Sequence, residues 1–86
     1  MREKKIVVRL QNGLQARIAT EFVQKASSFQ SEIILVKNGK PVVGKSIMGV
    51  MAITIRNGEE ITLTVDGSDE QKAMEVLEGF LLGKKS

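Results

Sequence analysis

The residues at positions 39 to 46 carry the letters of a phosphate-binding loop. They read GKPVVGKS, which matches the P-loop pattern G-x-x-x-x-G-K-S. A P-loop wraps phosphates with consecutive backbone amides, so its interior favours small residues, whereas Lys-Pro-Val-Val is typical of an extended strand. A true P-loop also follows a buried parallel strand of a larger nucleotide-binding domain. We therefore interpret this stretch as one arm of a hairpin, and a nucleotide switch or enzyme is the weakest functional hypothesis.

Ser46 ends this stretch, and its hydroxyl has two interpretations. As a helix N-cap it would stabilise the following helix by about 1 kcal/mol. As a phosphoacceptor it would place about −1.5 to −2 charges at a helix start, where negative charge is tolerated. The segment after it, IMGVMA, is apolar on nearly all sides, and a two-turn helix can bury only one face. Some of four apolar side chains should therefore be exposed: Ile47, Met48, Val50 and Met51. An exposed apolar patch with methionines is typical of an adaptable docking surface.

A second candidate site is the sequence GLQAR at positions 13 to 17. Gly13 permits a tight turn into a helix whose first N–H groups are unpaired. Arg17 in the first turn opposes the helix dipole. It is either a tolerated surface arginine or part of an anion site formed with the helix terminus, and the residues alone leave both interpretations open.

The composition excludes several functional classes. The 86 residues contain no histidine and no cysteine, which removes the usual general base, the commonest zinc ligand and thiolate chemistry. The net charge is only +3, and the basic residues are scattered along the chain. With an aromatic content of 3%, the chain also has few side chains on which bases could stack, so we expect no direct nucleic-acid binding. No apolar run reaches the roughly 20 residues of a membrane span. Because the polar residues MREKK run straight into a strand pattern, we expect no signal peptide. We expect a cytoplasmic protein that is not an enzyme and needs no cofactor or metal.

Hydrophobic periodicity predicts seven elements in one domain, residues 1–86. Strand one covers 5–10, strand two 32–36, strand three 40–43 and strand four 61–66. Helix one starts at Ala16, has an apolar stripe reaching Phe29, and has its frayed end marked by Ser27-Ser28 and Ser31. Helix two covers 47–52, and Ser68 with Gln71 forms a capping box that opens helix three. Asn38-Gly39 predicts a type I′ hairpin, and Pro41 predicts that strand three is an edge strand.

One segment allows two interpretations, because Asn57-Gly58 could also be a hairpin turn and make residues 53–55 a strand; we favour a loop. The order β-α-β-β-α-β-α predicts an α+β open-faced sandwich.

These features together resemble the HPr family, the phosphocarriers of the bacterial sugar phosphotransferase system. The similarity spans the whole chain, and GLQAR at 13–17 and KSIMGVM at 45–51 coincide with family motifs at the expected separation. It implies a four-stranded antiparallel sheet with three helices on one face.

One departure from the family changes the expected activity. Gln15 stands where HPr has its active histidine, and a carboxamide nitrogen cannot take phosphate because its lone pair is delocalised. Glutamine here with Ser46 retained is similar to the catabolite-repression HPr (Crh) subfamily.

The resemblance implies that HPr kinase/phosphorylase phosphorylates Ser46 with ATP, and that the phosphoprotein is a corepressor for catabolite-control protein A, a LacI-type regulator. The residues it implies for partner binding are Gln15, Arg17, Lys45, Ile47, Met48 and Met51. Arg17 would lie near the phosphoserine across the surface. An alternative is a module that regulates a metabolic enzyme through the unmodified surface around Gln15 and Arg17. We expect a monomer or a weak homodimer, with strand exchange allowed by the crossing at residues 10–15.

A second departure from the family is Ile18, where HPr and Crh usually have proline in the first helical turn. Proline at that place is pre-organised because its φ is already set. The substitution therefore bears on the local geometry at Gln15 and Arg17, and not on Ser46.

Overall fold

The computed structural model describes residues 1–11, 13 and 16–83. Seven elements follow one another in the predicted order. They are β1 (Arg2–Val7), α1 (Ala16–Ser27), β2 (Glu32–Lys37), β3 (Lys40–Val43), α2 (Ile47–Ala52), β4 (Glu60–Asp66) and α3 (Glu70–Leu81). The segment 53–59 is a loop, which confirms our preference over a further strand.

The four strands form one antiparallel sheet in the order β1-β4-β2-β3. In the central strand β4, Ile61, Leu63 and Val65 are buried while Thr62 and Thr64 on the other face are half-exposed. The helices therefore cover one face, where their apolar stripes meet the inward residues of the strands. The predicted open-faced α+β sandwich is confirmed.

The hairpin between β2 and β3 has the predicted turn. Asn38 has φ 51° and Gly39 φ 78°, the positive values that a type I′ turn needs at both central positions. In the register, Pro41 pairs with Val36. Strand β3 lies at an edge of the sheet, so a residue without an N–H donor is tolerated there.

The bounds predicted for the first strand, 5–10, are wrong. Strand β1 covers Arg2–Val7 and pairs from Arg2↔Val65 to Val7↔Glu60. Beyond it the Val8 N–H still donates to the Glu59 carbonyl just before β4, and the Arg9 N–H donates to the Leu81 carbonyl at the end of α3. The prediction failed because it followed apolar alternation. The first half of β1 is held by the ladder and by exposed ion pairs such as Lys4 Nζ–Glu78 Oε1 at 3.0 Å.

The predicted capping box of α3 is also wrong. The N-cap residue is Asp69, which makes no side-chain cap hydrogen bond. The reciprocal bond occurs one residue earlier than predicted, where the Gly67 N–H donates to Glu70 Oε1 at 3.3 Å. Helix α1 ends at Ser27, so Phe29 lies beyond the helix while still packing against the core.

Candidate functional site

Ser46 caps the start of α2. Its backbone is extended, with φ −107° and ψ 115°, and its Oγ accepts a hydrogen bond from the Gly49 N–H at 3.1 Å. The Ser46 carbonyl accepts from the Val50 N–H at 3.0 Å, which begins the helical ladder. The predicted N-cap is confirmed. Because Oγ acts only as an acceptor in this contact, its hydroxyl proton stays free to be donated elsewhere.

The β2–β3 hairpin brings Ser46 to this position. The Gly44 N–H donates to the Ile33 carbonyl at 2.7 Å, and the Ser46 N–H donates to the Val43 carbonyl at 3.1 Å. These bonds end β3 and turn the chain into α2. The stretch that resembles a P-loop is therefore a turn, a strand and a helix cap, and not a loop folded around a phosphate.

Helix α2 presents most of its apolar side chains to solvent. Met48 is 82% exposed, Met51 43% and Ile47 42%, whereas Val50 has no exposed surface. This confirms that some of the four apolar side chains remain uncovered. We call Ile47, Met48 and Met51 the α2 patch. It adjoins the Ser46 cap because the same six-residue helix carries both.

Val43 is exposed as well, at 52%, and was not among the predicted partner-binding residues. It pairs with Ile34 in the sheet register, so it lies on the open face. Val42, its neighbour, packs against the core. The alternation of these two residues in an edge strand was the signal for an exposed valine.

Lys45 has an intramolecular role that the sequence did not reveal. Its Nζ donates to the Phe29 carbonyl at 2.7 Å, which ties the Ser46 cap to the loop after α1. The expected role of Lys45 in partner binding stays a prediction. The side chain would have to leave this contact to reach another molecule.

Arg17 lies in the first turn of α1 and is exposed. That turn has no acidic residue, and within the described residues the Arg17 side chain makes no hydrogen bond or ion pair, with Ser46 or any other group. Its expected place beside a phosphoserine stays a prediction. Gln15 lies outside the described residues. Ile18, at the unusual proline position, is half-buried and packs against the core.

The backbone at Gly13, just before α1, requires a glycine. Its φ is +65°, and a Cβ would collide with the Ile55 carbonyl oxygen. Its N–H donates to the Leu10 carbonyl at 2.8 Å. The start of α1 is thus closely backed by the 53–59 loop, whose Ile55 is buried.

Lys37 at the end of β2 holds that loop. Its Nζ donates to the Thr54 carbonyl at 2.6 Å and to Glu59 Oε1 at 3.0 Å. The lysine hydrogen bond, followed by the hydrogen bond from the Arg56 N–H, holds the pKa of Glu59 below its ordinary value. Thr54 has φ 48°, which is rare for a β-branched residue, so the loop is held in a conformation that Thr54 alone would not favour. This network was not predicted from the sequence, because a lysine that ends a strand resembles any surface lysine.

Among the residues that the structure describes, no helix is long and apolar enough to cross a membrane. In the same part of the chain, no three acidic side chains come together in a group that could hold a metal ion.

Comparison with known proteins gives the family. The sequence profile described as the PTS HPr component phosphorylation site matches residues 2–82. The chain belongs to the HPr family. It is 53% identical over 81 residues to the HPr-like protein Crh of Halalkalibacterium halodurans, covering 94% of this chain and 96% of the relative.

Two solved structures of the HPr family show the same fold. The phosphocarrier protein HPr of Bacillus anthracis str. Ames has a TM-score of 0.91 at 46% identity, covering 93% of this chain and 95% of that one. Crh of Bacillus subtilis, solved as a domain-swapped dimer, has a TM-score of 0.81 at 45% identity, covering 100% and 99%. The chain is therefore a Crh-like HPr-family protein, and the resemblance inferred from the motifs is confirmed.

Proposed function

We propose that this chain is a regulatory phosphoprotein of carbon catabolite repression. HPr kinase/phosphorylase phosphorylates Ser46 with ATP, and the product is a corepressor for catabolite-control protein A. The observation that carries the proposal is the Ser46 cap directly beside the exposed α2 patch. The similarity of the chain to Crh proteins also supports the proposal. An ATP-dependent kinase and a gene regulator act in the cytoplasm, and we propose that location.

The geometry suits phosphorylation without unfolding. Ser46 Oγ attacks the γ-phosphorus of ATP, ADP leaves, and the hydroxyl proton passes to a base of the kinase. Helix α2 is anchored by the buried Val50, so the added charge alters the rim of the α2 patch rather than the core. A regulator could then recognise the phosphate and the methionines together.

Transfer through a phosphohistidine is absent from this proposal because the chain has no histidine. Gln15 occupies the carrier position of the family motif. Its amide nitrogen is neither nucleophilic nor basic, so phosphoenolpyruvate and the first enzyme of the phosphotransferase system have no acceptor there.

Intact-mass spectrometry tests both statements. The protein is incubated with HPr kinase/phosphorylase and ATP, and in parallel with phosphoenolpyruvate and the first phosphotransferase enzyme. We expect one phosphate in the ATP arm only, mapped to Ser46. The control is Ser46→Asn, which keeps a good N-cap but has no hydroxyl, so it should stay folded and unmodified. Phosphate on Ser46→Asn, or regulator binding by that variant after kinase treatment, would contradict the proposal.

A second function has one observation in its favour. Arg17 is exposed, and no described residue pairs with it, so it is available to an acidic group of a metabolic enzyme. This module would act unmodified, through Gln15 and Arg17. A pull-down with Ser46→Asn protein separates the two functions, because here the partner remains. Arg17→Ala should lose that partner, while Arg56→Ala, another exposed arginine, should keep it.

We propose a monomer that forms a weak homodimer by exchange of β1. The Crh protein of Bacillus subtilis is a swapped dimer, and in this chain β1 is an edge strand whose only buried residue is Ile6. Sedimentation velocity over a range of concentrations should show a slow, concentration-dependent dimer. A monomer at every concentration would contradict this assembly.

A further inference from the structure

Two helices contain a glycine in their interior, and neither backbone requires one. Gly49 lies in α2 and Gly79 in α3, and neither has the positive φ that other residues avoid. Glycine in a helix is less favourable than alanine because it has more backbone freedom to lose. Helix propensity therefore does not account for either glycine.

Packing does not require either glycine. A Cβ on Gly79 would meet nothing within 4 Å. A Cβ on Gly49 would meet Ser46 Oγ at 3.4 Å, Ser46 Cβ at 3.5 Å and Val42 Cβ at 3.6 Å. These are ordinary van der Waals distances, so alanine fits the unmodified fold at both positions.

The two positions differ in what the added methyl group would touch. At Gly49 its nearest neighbour is Ser46 Oγ. The Gly49 N–H already donates to that oxygen at 3.1 Å, so the methyl group would crowd the same atom from the same residue. In a phosphoryl transfer the attacking oxygen must be reached by a tetrahedral phosphoryl group and by a base that takes its proton. A methyl group in contact with Oγ occupies part of the space through which they approach.

We infer that Gly49 is a specificity-determining residue for phosphorylation of Ser46, because its missing side chain leaves Oγ accessible to the phosphoryl donor. The inference rests on the proposed function. In the reaction the Ser46 Oγ–P bond forms, the bond from the γ-phosphorus to the bridging oxygen of ADP breaks, and the hydroxyl proton goes to the kinase. Gly49 takes no part in these bonds, and acts only by the space it leaves beside the nucleophile.

Gly49→Ala and the matched control Gly79→Ala test the inference. Both variants should fold with a melting temperature equal to or above that of the wild type, since alanine is the better helix former. With HPr kinase/phosphorylase and ATP, we expect kcat/KM to fall about tenfold or more for Gly49→Ala, the effect of one misplaced methyl group in a close-fitting site. It should be unchanged for Gly79→Ala.

The outcomes separate this inference from the proposed function. Phosphorylation of Gly49→Ala at the wild-type rate overturns the inference and leaves the proposed function standing. A wild-type protein that takes no phosphate overturns both. Loss of the fold in Gly49→Ala overturns the inference, because the glycine would then serve packing. An equal loss of rate in Gly79→Ala overturns it too, since the effect would come from helix rigidity in general.

Discussion

Ser46 and Asp69 each stand directly before a helix, yet their side chains bond to different parts of the molecule. Ser46 Oγ accepts from Gly49, three residues ahead in its own helix. The Asp69 carboxylate makes no cap bond to α3 and accepts from the N–H groups of Gln30 at 2.8 Å and Ser31 at 3.0 Å, and from the Ser31 hydroxyl. The side chain of the cap residue therefore makes a local contact at α2 and a long-range contact at α3. We therefore expect a modification of Ser46 to leave the tertiary structure intact, and a change at Asp69 to remove a connection between distant segments.

Removing the Asp69 carboxylate should give the largest effect. Ser31 has no exposed surface, so in Asp69→Ala its N–H and hydroxyl lose their partner while still buried, which costs about 1–3 kcal/mol for an unsatisfied group. Urea unfolding should show this loss. Asp66→Ala is the control, since Asp66 is exposed and makes one 3.6 Å ion pair with the N-terminal amine. Equal stability of the two variants would contradict a long-range role for Asp69.

The pH dependence of stability should also distinguish the two positions. The hydrogen bond from the Ser31 hydroxyl, followed by that from the Gln30 N–H, lowers the pKa of Asp69 from its ordinary value of 3.8. A folded pKa below the unfolded one stabilises the fold above pH 3.8, and this contribution is lost as the pH falls through the folded pKa. The difference in unfolding free energy between wild type and Asp69→Ala should therefore shrink below about pH 3.8.

Ser46→Ala provides the contrast, because serine does not titrate in this range. Its free-energy difference from the wild type should stay constant with pH when both are measured by urea unfolding. A difference that shrinks in acid for Ser46→Ala, or stays constant for Asp69→Ala, would refute the assignment of the two roles.

Loss of the Ser46 cap should cost less than loss of Asp69. Ser46→Ala removes one local acceptor and should lower the unfolding free energy by about 1 kcal/mol, while Ser46→Asn should remain close to the wild type. Chemical denaturation of the three proteins measures the difference. If asparagine were as damaging as alanine, the serine would be supporting more than its own helix.

The smallest effect on stability is expected in the α2 patch. Met48 is 82% exposed, so Met48→Ser should change the unfolding free energy by no more than about 0.5 kcal/mol. It should nevertheless weaken binding of the Ser46-phosphorylated protein to catabolite-control protein A, measured by titration calorimetry. Val50→Ala, on the buried side of the same helix, should show the reverse pattern. Unchanged regulator affinity in Met48→Ser would exclude this surface from the complex.

Most of the architecture was predictable because its signals are local. The Asn38-Gly39 turn, the edge position of β3, the Ser46 cap and the exposed side of α2 each depend on a few consecutive residues with strong conformational preferences. Their predictions were confirmed in the structure. The prediction for the first strand was wrong at both ends, because its polar N-terminal half is held by β4 and α3 and has no apolar pattern of its own.

The connections around the site were not predictable in the same way. Lys37 to the Thr54 carbonyl, Lys45 to the Phe29 carbonyl and Asp69 to Ser31 join residues 16 to 38 positions apart. In each pair a long or acidic side chain bonds to a distant backbone or hydroxyl group. Nothing in the sequence near a lysine or aspartate tells which distant group it will meet.

The sequence by itself determined the element order, the family motifs and the absence of histidine, because these depend only on residue types and their spacing. Tertiary structure decided which potential donors and acceptors are already engaged, and which apolar side chains stay uncovered. It bonded Lys45 to a carbonyl, turned Asp69 away from its own helix and buried Val50 while exposing Met48. The physical reason is that burial and long-range hydrogen bonding depend on distances between segments, and those distances exist only once the sheet and its three helices have packed together.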